Sequence, residues 1–223
     1  MYGDFSSLRT HPRPPESEPA SVTPRRAGDV EQALPLSGGQ LRQDVHPCMP
    51  DSDGVEPLRF RGQPLRLREL QANDRVRLEA LLSQVATPDL QMRFFAAFRR
   101  IPPALLDQLM QIDPAQRITV AALIGSTDAN AEIIGVARAH RLATATAETA
   151  LLVRSDLKGQ GLGSLLLRTL IARCRERGIS RLSAEVMRCN SRMLCLAKKH
   201  GFRCESVHDN TCHVVLDLGA QPA

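Results

Sequence analysis

Lys158-Gly159-Gln160-Gly161-Leu162-Gly163-Ser164 is the stretch whose residue types and spacing best suggest chemistry. Three glycines alternate between the apolar run ALLV and the amphipathic run SLLLRTLIARC. The pattern predicts a strand ending near Arg154, a loop from Leu157 to Gln160, and a helix opening near Gly161. First-turn amides of a helix have no internal acceptors, and the helix dipole favours anions there. Gly159, Gly161 and Gly163 would leave the amides of residues 159–164 uncovered. Lys158 adds a cation and Ser164 a hydroxyl, so a diphosphate suits the loop. The same glycines also suit a tight turn against a sheet, and the loop alone leaves both readings open.

Two better-known phosphate loops do not fit. A Walker A loop needs GxxxxGK followed by Ser or Thr, which the chain lacks. A dinucleotide fingerprint needs GxGxxG after the first strand of a βαβ unit. Gly159 and Gly161 supply two of its glycines, but position 164 is Ser, and the segments before the loop read as a meander.

Periodicity places the elements around the loop. LRLREL, residues 65–70, alternates at Leu65, Leu67 and Leu70 and predicts a strand giving way to a helix. In LRELQANDRVRLEALLSQV, Leu78, Leu82 and Val85 share a helical face, with Leu81 beside them. QMRFFAAFRR, following TPDL, reads as a helix with Phe94, Phe95 and Phe98 on its apolar side. PPALLDQLMQI reads as a short helix opening on proline. Three strands follow, RITVAALIG (117–125), AEIIGVARAH (131–140) and ETALLVRS (148–155), with STDAN and a polar LATATA between them. The helix after the glycine loop spans about 161–177, with Leu162, Leu166, Leu170, Ile171 and Cys174 inward and Gly178 as its stop. ISRLSAEVM (179–187) is a strand and SRMLCLAKKH a helix, and GFRCESVH with TCHVVLDL forms a closing pair. The fold class is α/β, a mixed and mostly antiparallel sheet with helices on both faces.

Composition bounds the function. Residues 1–56 hold eight of the fifteen prolines, with five basic and nine acidic side chains, and read as a disordered N-terminal tail with a local turn at 37–39. Residues 57–223 hold 24 basic and 15 acidic side chains, a net of +9, which favours an anionic partner. The arginines are scattered, without a helix-turn-helix, finger or aromatic platform, so nucleic acid is not the expected partner. Six cysteines without a CxxC read as reduced thiols in a cytoplasmic protein. The first residues lack a basic segment before an apolar run, and no run approaches eighteen apolar residues, so neither a secretory signal nor a membrane span is expected. His200, His208, His213, Cys204 and Cys212 match no zinc spacing, and no metal is expected.

From about 118 to 202 the chain resembles the acyl-CoA-dependent N-acetyltransferase superfamily, the GNAT fold. That family's signature is Gln or Arg, two residues, Gly, one residue, then Gly or Ala. Here it reads from Lys158 to Gly163, with lysine in first place. A closer resemblance, over roughly 57–218, is to the acetyltransferase domain of bacterial protein lysine acetyltransferases, which acetylate acyl-CoA synthetases. It rests on LRLREL (65–70), RFFAAF (93–98), QIDPAQR (111–117), EIIGVAR (132–138), AETALLVRSDLKGQGLGSLLL, AEV and NSRMLCLAKKHGF.

The resemblance implies acetyl-CoA as cosubstrate, its pyrophosphate held by the amides of Lys158, Gly159, Gln160, Gly161, Leu162, Gly163 and Ser164. It implies that the strand before the loop splays from its neighbour, freeing backbone near Leu152 and Val153 for the pantetheine arm. Asn190 takes the family asparagine's place beside the pantetheine, and an ordinary N-cap role is compatible with that. Ser191 and Arg192 would border the cofactor, while Lys198 and Lys199 read mainly as solvated.

Acetyl transfer to an amine needs a neutral amine, so a base is useful at pH 7. Glu148, at the start of the strand before the loop, is the base the resemblance implies. Glu185 on the next strand is a second candidate, as base or as an attraction for a cationic acceptor. A backbone N–H near Leu152 would serve the oxyanion. The family's thiolate-protonating tyrosine has no counterpart, since Tyr2 is the sole tyrosine. Cys195 reads as a packing residue, and direct transfer in a ternary complex is simpler than a cysteine relay. The expected reaction is acetyl transfer from acetyl-CoA to a primary amine, with protein lysine as the leading acceptor and an acyl-CoA synthetase as one possible partner. A small amine acceptor and a catalytically silent coenzyme-binding module remain the alternatives.

Overall fold

A computed structural model describes residues 58–219 apart from 97 and 99. The expected N-terminal tail and its turn lie outside the described residues. Eight strands form one sheet in the order β1-β2-β3-β4-β5-β6-β8-β7. The strands are β1 (Arg59–Phe60), β2 (Gln63–Glu69), β3 (Arg117–Ile124), β4 (Glu132–Ala143), β5 (Thr146–Val153), β6 (Arg181–Met187), β7 (Arg203–His208) and β8 (Thr211–Asp217). Among the described residues five α-helices accompany them: α1 (Arg75–Ser83), α2 (Thr87–Phe94), α3 (Pro103–Met110), α4 (Leu162–Glu176) and α5 (Ser191–Lys199). The α/β architecture with a mixed, mostly antiparallel sheet is as expected.

β3 shows how the sequence builds two layers. Its even residues Ile118, Val120 and Ala122 join the core beneath α4 and α5, while Ala121 and Leu123 join the core beneath α1–α3. Period-two alternation in an almost wholly apolar strand therefore supplies both faces at once. α4 follows the helical period, burying Leu162, Leu166, Leu170 and Cys174 with Leu165, Leu167 and Ile171. It ends as Gly178 implies. Gly178 has φ 71°, its N–H donates to Arg175 O at 3.0 Å, and the Ile179 N–H donates to Cys174 O at 2.9 Å. Together these bonds satisfy the last carbonyls in a Schellman motif.

The sheet has one parallel contact, between β5 and β6. It consists of three pairs, Thr146↔Arg181, Ala147↔Leu182 and Glu148↔Ser183. Beyond Glu148, β5 continues to Val153 and β6 to Met187 without pairing to each other. On its other edge, β5 stays paired to β4 as far as Val153↔Gly135. The two strands therefore part like a V, and backbone groups of β5 that face β6 have no ladder partner there.

Three local expectations are corrected. The helix read over QMRFFAAFRR begins earlier, at Thr87-Pro88, because proline fits the first helical turn. It ends at Phe94, because Phe95 adopts φ 57° and is 45 % exposed, so the three phenylalanines do not share an apolar face. The polar LATATA stretch is largely strand, with β4 and β5 joined by a two-residue turn at 144–145. The reading of all six cysteines as thiols also fails at one pair. Cys204 and Cys212 form a disulfide across the β7–β8 hairpin, their Cα atoms 6.4 Å apart. That separation suits a disulfide, and the hairpin register produces it, a relationship that linear spacing conceals. Cys174, Cys189 and Cys195 are free.

Candidate active site

The parting of β5 and β6 opens a cleft of about 800 Å³. Glu148, Leu152 and Val153 line it from β5, and Glu185 lines it from β6. Lys158, Gly159, Gly161, Gly163 and Ser164 line it from the loop and the start of α4. Asn190 and Ser191 border it at the start of α5. Two expected residues turn their side chains elsewhere. Gln160 Oε1 accepts from Arg61 Nε at 2.7 Å, and Leu162 is packed in the core. Neither side chain faces the cleft, so a role for these two toward a coenzyme rests on their backbone amides.

The loop geometry follows from its glycines. Gly161, the N-cap of α4, has φ 86°, which an L side chain adopts only with strain. Gly163 answers a different demand. A Cβ there would lie 3.3 Å from Leu151 Cδ2 and 3.4 Å from Leu196 Cδ2, so its absence lets α4 seat against β5 and α5. The first turn of α4 thus presents its unpaired amides at the cleft wall, an arrangement suited to a phosphate.

Three side-chain pairs frame the cleft. Lys158 Nζ lies 2.5 Å from Asp89 Oδ1 on α2. Ser155 Oγ donates to the other oxygen of Asp89 at 2.5 Å and accepts from the Ala86 N–H at 2.8 Å. Burial opposes ionisation of Asp89, but the bonds from Lys158 and Ser155 prevail and hold its carboxyl below the usual range. Ser164 Oγ meets His200 Nε2 at 2.7 Å. Burial, then Lys199 and Arg168, push the His200 imidazole down from its ordinary value, favouring its neutral form. Glu185 Oε1 lies 2.7 Å from His213 Nδ1 on β8, whose Nε2 is 3.9 Å from Glu205 Oε2.

Asn190 acts as the N-cap of α5, its Oδ1 accepting from the Met193 N–H at 3.1 Å. Glu148 is exposed on the β5 lip, directly across the ladder from His140 on β4. Cys195, expected to pack, is instead exposed on the cleft wall, because its side of α5 faces the opening. The sequence reading missed Asp89, His200, His213 and Arg93 as neighbours of the site. Each reaches it through contacts distant in sequence. A local signal existed only for Asp89, in the Thr-Pro-Asp start of α2.

Among the described residues there is no cluster of three metal-ligating side chains, and no helix long and apolar enough to cross a membrane.

Residues 85–202 match the model of the acetyltransferase (GNAT) family. A Pseudomonas aeruginosa protein named acetyltransferase PA5475 is 28 % identical over 155 residues, covering 69 % of this chain and 83 % of its own. The solved GNAT domain of S. lividans PAT is 31 % identical with a TM-score of 0.64, covering 70 % of this chain and 92 % of that one. The fold is also that of yncA from Salmonella typhimurium, a putative acetyltransferase solved with its cofactor acetyl-CoA. There the TM-score is 0.54 at 17 % identity, over 71 % of this chain and 96 % of that one. The chain belongs to the acetyltransferase (GNAT) family. Acetyl-CoA-dependent acetyl transfer is the chemistry this membership gives it.

Proposed function

We propose that the chain transfers acetyl from acetyl-CoA to a primary amine, the side chain of a protein lysine, by direct attack in a ternary complex. One observation carries the reading. The strands part immediately after the Glu148↔Ser183 pair, leaving carboxylates on both lips of a cleft that also receives the glycine loop.

In this account, the amides at the start of α4 hold the coenzyme pyrophosphate, and the unpaired β5 edge near Leu152 and Val153 holds the pantetheine. Bound acetyl-CoA supplies an activated thioester carbonyl. Glu148 takes a proton from the acceptor ammonium, directly or through water, leaving a neutral nucleophile. A backbone N–H near Leu152 stabilises negative charge developing on the thioester oxygen. Glu185, held by His213, keeps the opposite lip acidic and draws the cationic acceptor in. The coenzyme leaves as a thiolate, without a tyrosine to protonate it.

The test is a thiol-release screen over small amines, lysine peptides and intact acyl-CoA synthetases. Release that tracks acetyl-lysine found by mass spectrometry is the expected result. Turnover confined to small amines overturns the protein-lysine assignment, and coenzyme binding without turnover overturns the transfer itself.

A further inference from the structure

Arg93 projects from the last turn of α2 to the wall of the cleft, where it borders both the main opening and a small cavity beneath it. Among the described residues its guanidinium makes no hydrogen bond or ion pair. Its close neighbour is the face of Phe94, with 4.7 Å between Cζ and the ring centroid. The small cavity is walled by leucines, Phe94, Val136 and Ala150, with Thr119, Arg93 and Arg138 as its polar residues. None of residues 158–164 lines that cavity, whereas Ala150 and Leu152 of β5 do, and Glu148 is the carboxylate whose charge acts on Arg93.

Arg138 is fully engaged. Its Nε donates to Thr119 Oγ1 at 2.9 Å, and its terminal nitrogens donate to the Gln108 and Leu109 carbonyls that end α3. Arg93 has nothing equivalent. Burial pulls Arg93 down to about 10, only partly opposed by Glu148, so it stays cationic at neutral pH. Burial, then repulsion from Arg93 and Arg117, pulls Arg138 to about 9. His140 leans neutral for the same reason, burial first and then Arg117. Positive charge around Glu148 is therefore undercompensated. A partly desolvated guanidinium without an acceptor is costly unless a ligand supplies one. The anion that best fits its planar fork is a carboxylate, bound by two parallel N–H···O bonds.

We infer that Arg93 reads a carboxylate carried by the acceptor beside the amine that Glu148 receives, so that the preferred lysine has an acidic neighbour. This rests on the amine-acceptor reading above. Glu148 and Glu185 on one side and Arg93 on the other make the acceptor end bipolar, suited to a paired cation and anion.

The experiment uses the full chain and two peptides that differ only in whether Glu or isosteric Gln flanks the lysine. Free lysine and 1,5-diaminopentane form a second pair for a small acceptor. Thiol release is measured for the wild type, Arg93→Gln and Arg93→Lys, each checked for folding by circular dichroism. In the wild type, kcat/KM should favour the carboxylate-bearing member of the accepted pair by about tenfold, the scale of one charge-assisted hydrogen bond. In Arg93→Gln the ratio should fall to near one whatever the absolute rates, and Arg93→Lys should keep part of it. A wild-type ratio near one overturns the inference, as does an unchanged ratio in Arg93→Gln. Equal losses on both members with the ratio intact would make Arg93 an electrostatic aid to the thioester instead. Turnover of the small pair alone sinks the protein-lysine reading but not the carboxylate site. No turnover of either pair sinks both.

Discussion

Lys158 Nζ and Asp89 Oδ1 lie 2.5 Å apart, so the glycine loop and α2 share an ion pair on the cleft wall. The lysine in the first place of the loop signature is therefore already matched to an anion. A bound diphosphate competes with Asp89 for the same ammonium. Asp89→Asn should tighten coenzyme A binding by about threefold, in keeping with the modest strength of partly exposed pairs. The gain should vanish in a Lys158→Ala background. Calorimetric titration of the wild type, the two single variants and the double variant checks this. A gain that survives Lys158→Ala would mean that Asp89 acts through its general field and not through Lys158.

Asp74 is fully buried and ties the start of α1 to the sheet. It accepts from Arg68 at 2.6 and 2.9 Å, from Arg77 at 2.9 Å and from the Gln71 N–H at 2.8 Å. Burial alone would raise its carboxyl, but these bonds, led by Arg68, hold it below the ordinary value. Its stabilising contribution is thus complete above the unfolded carboxyl pKa, about 4, and is lost as pH falls through the lower folded value. Asp74→Asn should cost about 3 kcal/mol at pH 7, because it leaves two guanidiniums without their shared anion. The deficit relative to wild type should shrink below pH 4. Urea unfolding at pH 7 and pH 3 measures both.

Gly135 on β4 should tolerate no side chain without movement. A Cβ there would lie 2.9 Å from Leu166 Cδ1 and 3.1 Å from the Leu152 carbonyl oxygen. Leu166 can adjust its methyl, but the carbonyl belongs to the β4–β5 ladder that backs the cleft, where Leu152 is paired with Val136. Gly135→Ala should destabilise by about 1–3 kcal/mol, and it should weaken coenzyme binding more than a remote mutation of equal stability cost. A melting curve and a coenzyme titration on the same variant separate the two effects.

The legible parts of the molecule were those written in local periods. Leu162, Leu166, Leu170 and Cys174 announced α4, and Gly178 announced its end. The glycine spacing marked a loop suited to a diphosphate or to a tight turn, and the resemblance of the flanking segments pointed it to coenzyme A. What stayed hidden was pairing across distance. Lys158 read as a free cation because Asp89 lies 69 residues away, on a helix that begins at Thr87, before the QMRFFAAFRR segment read as helical. His213, which matched no zinc spacing, had no assigned role until the β6–β8 register set it against Glu185. Cys204 and Cys212 become partners only through the β7–β8 hairpin. Arg93 carried no signal of its own, since nothing in RFFAAF says which way α2 turns over the sheet.

Glu185 and Glu148 should separate by their pH behaviour. Glu185 is bonded to His213, so Glu185→Gln should chiefly raise KM for a cationic acceptor and leave the shape of the kcat profile intact. His213→Gln should reproduce part of that rise. Steady-state kinetics from pH 6 to pH 10 on both variants checks this. A kcat profile that loses its acid limb in Glu185→Gln would make Glu185 the base.

In the proposed mechanism Glu148 frees an acceptor amine to take acetyl from acetyl-CoA held in the parted strands. Single-turnover transfer to a lysine peptide, followed by mass spectrometry across pH in wild type and Glu148→Gln, tests it most directly. Acetyl-lysine is expected in both, with Glu148→Gln slower by about 10²-fold at neutral pH. The gap should narrow as rising pH deprotonates the lysine without help. Equal rates at every pH, or no acetyl-lysine from the wild type, would contradict it.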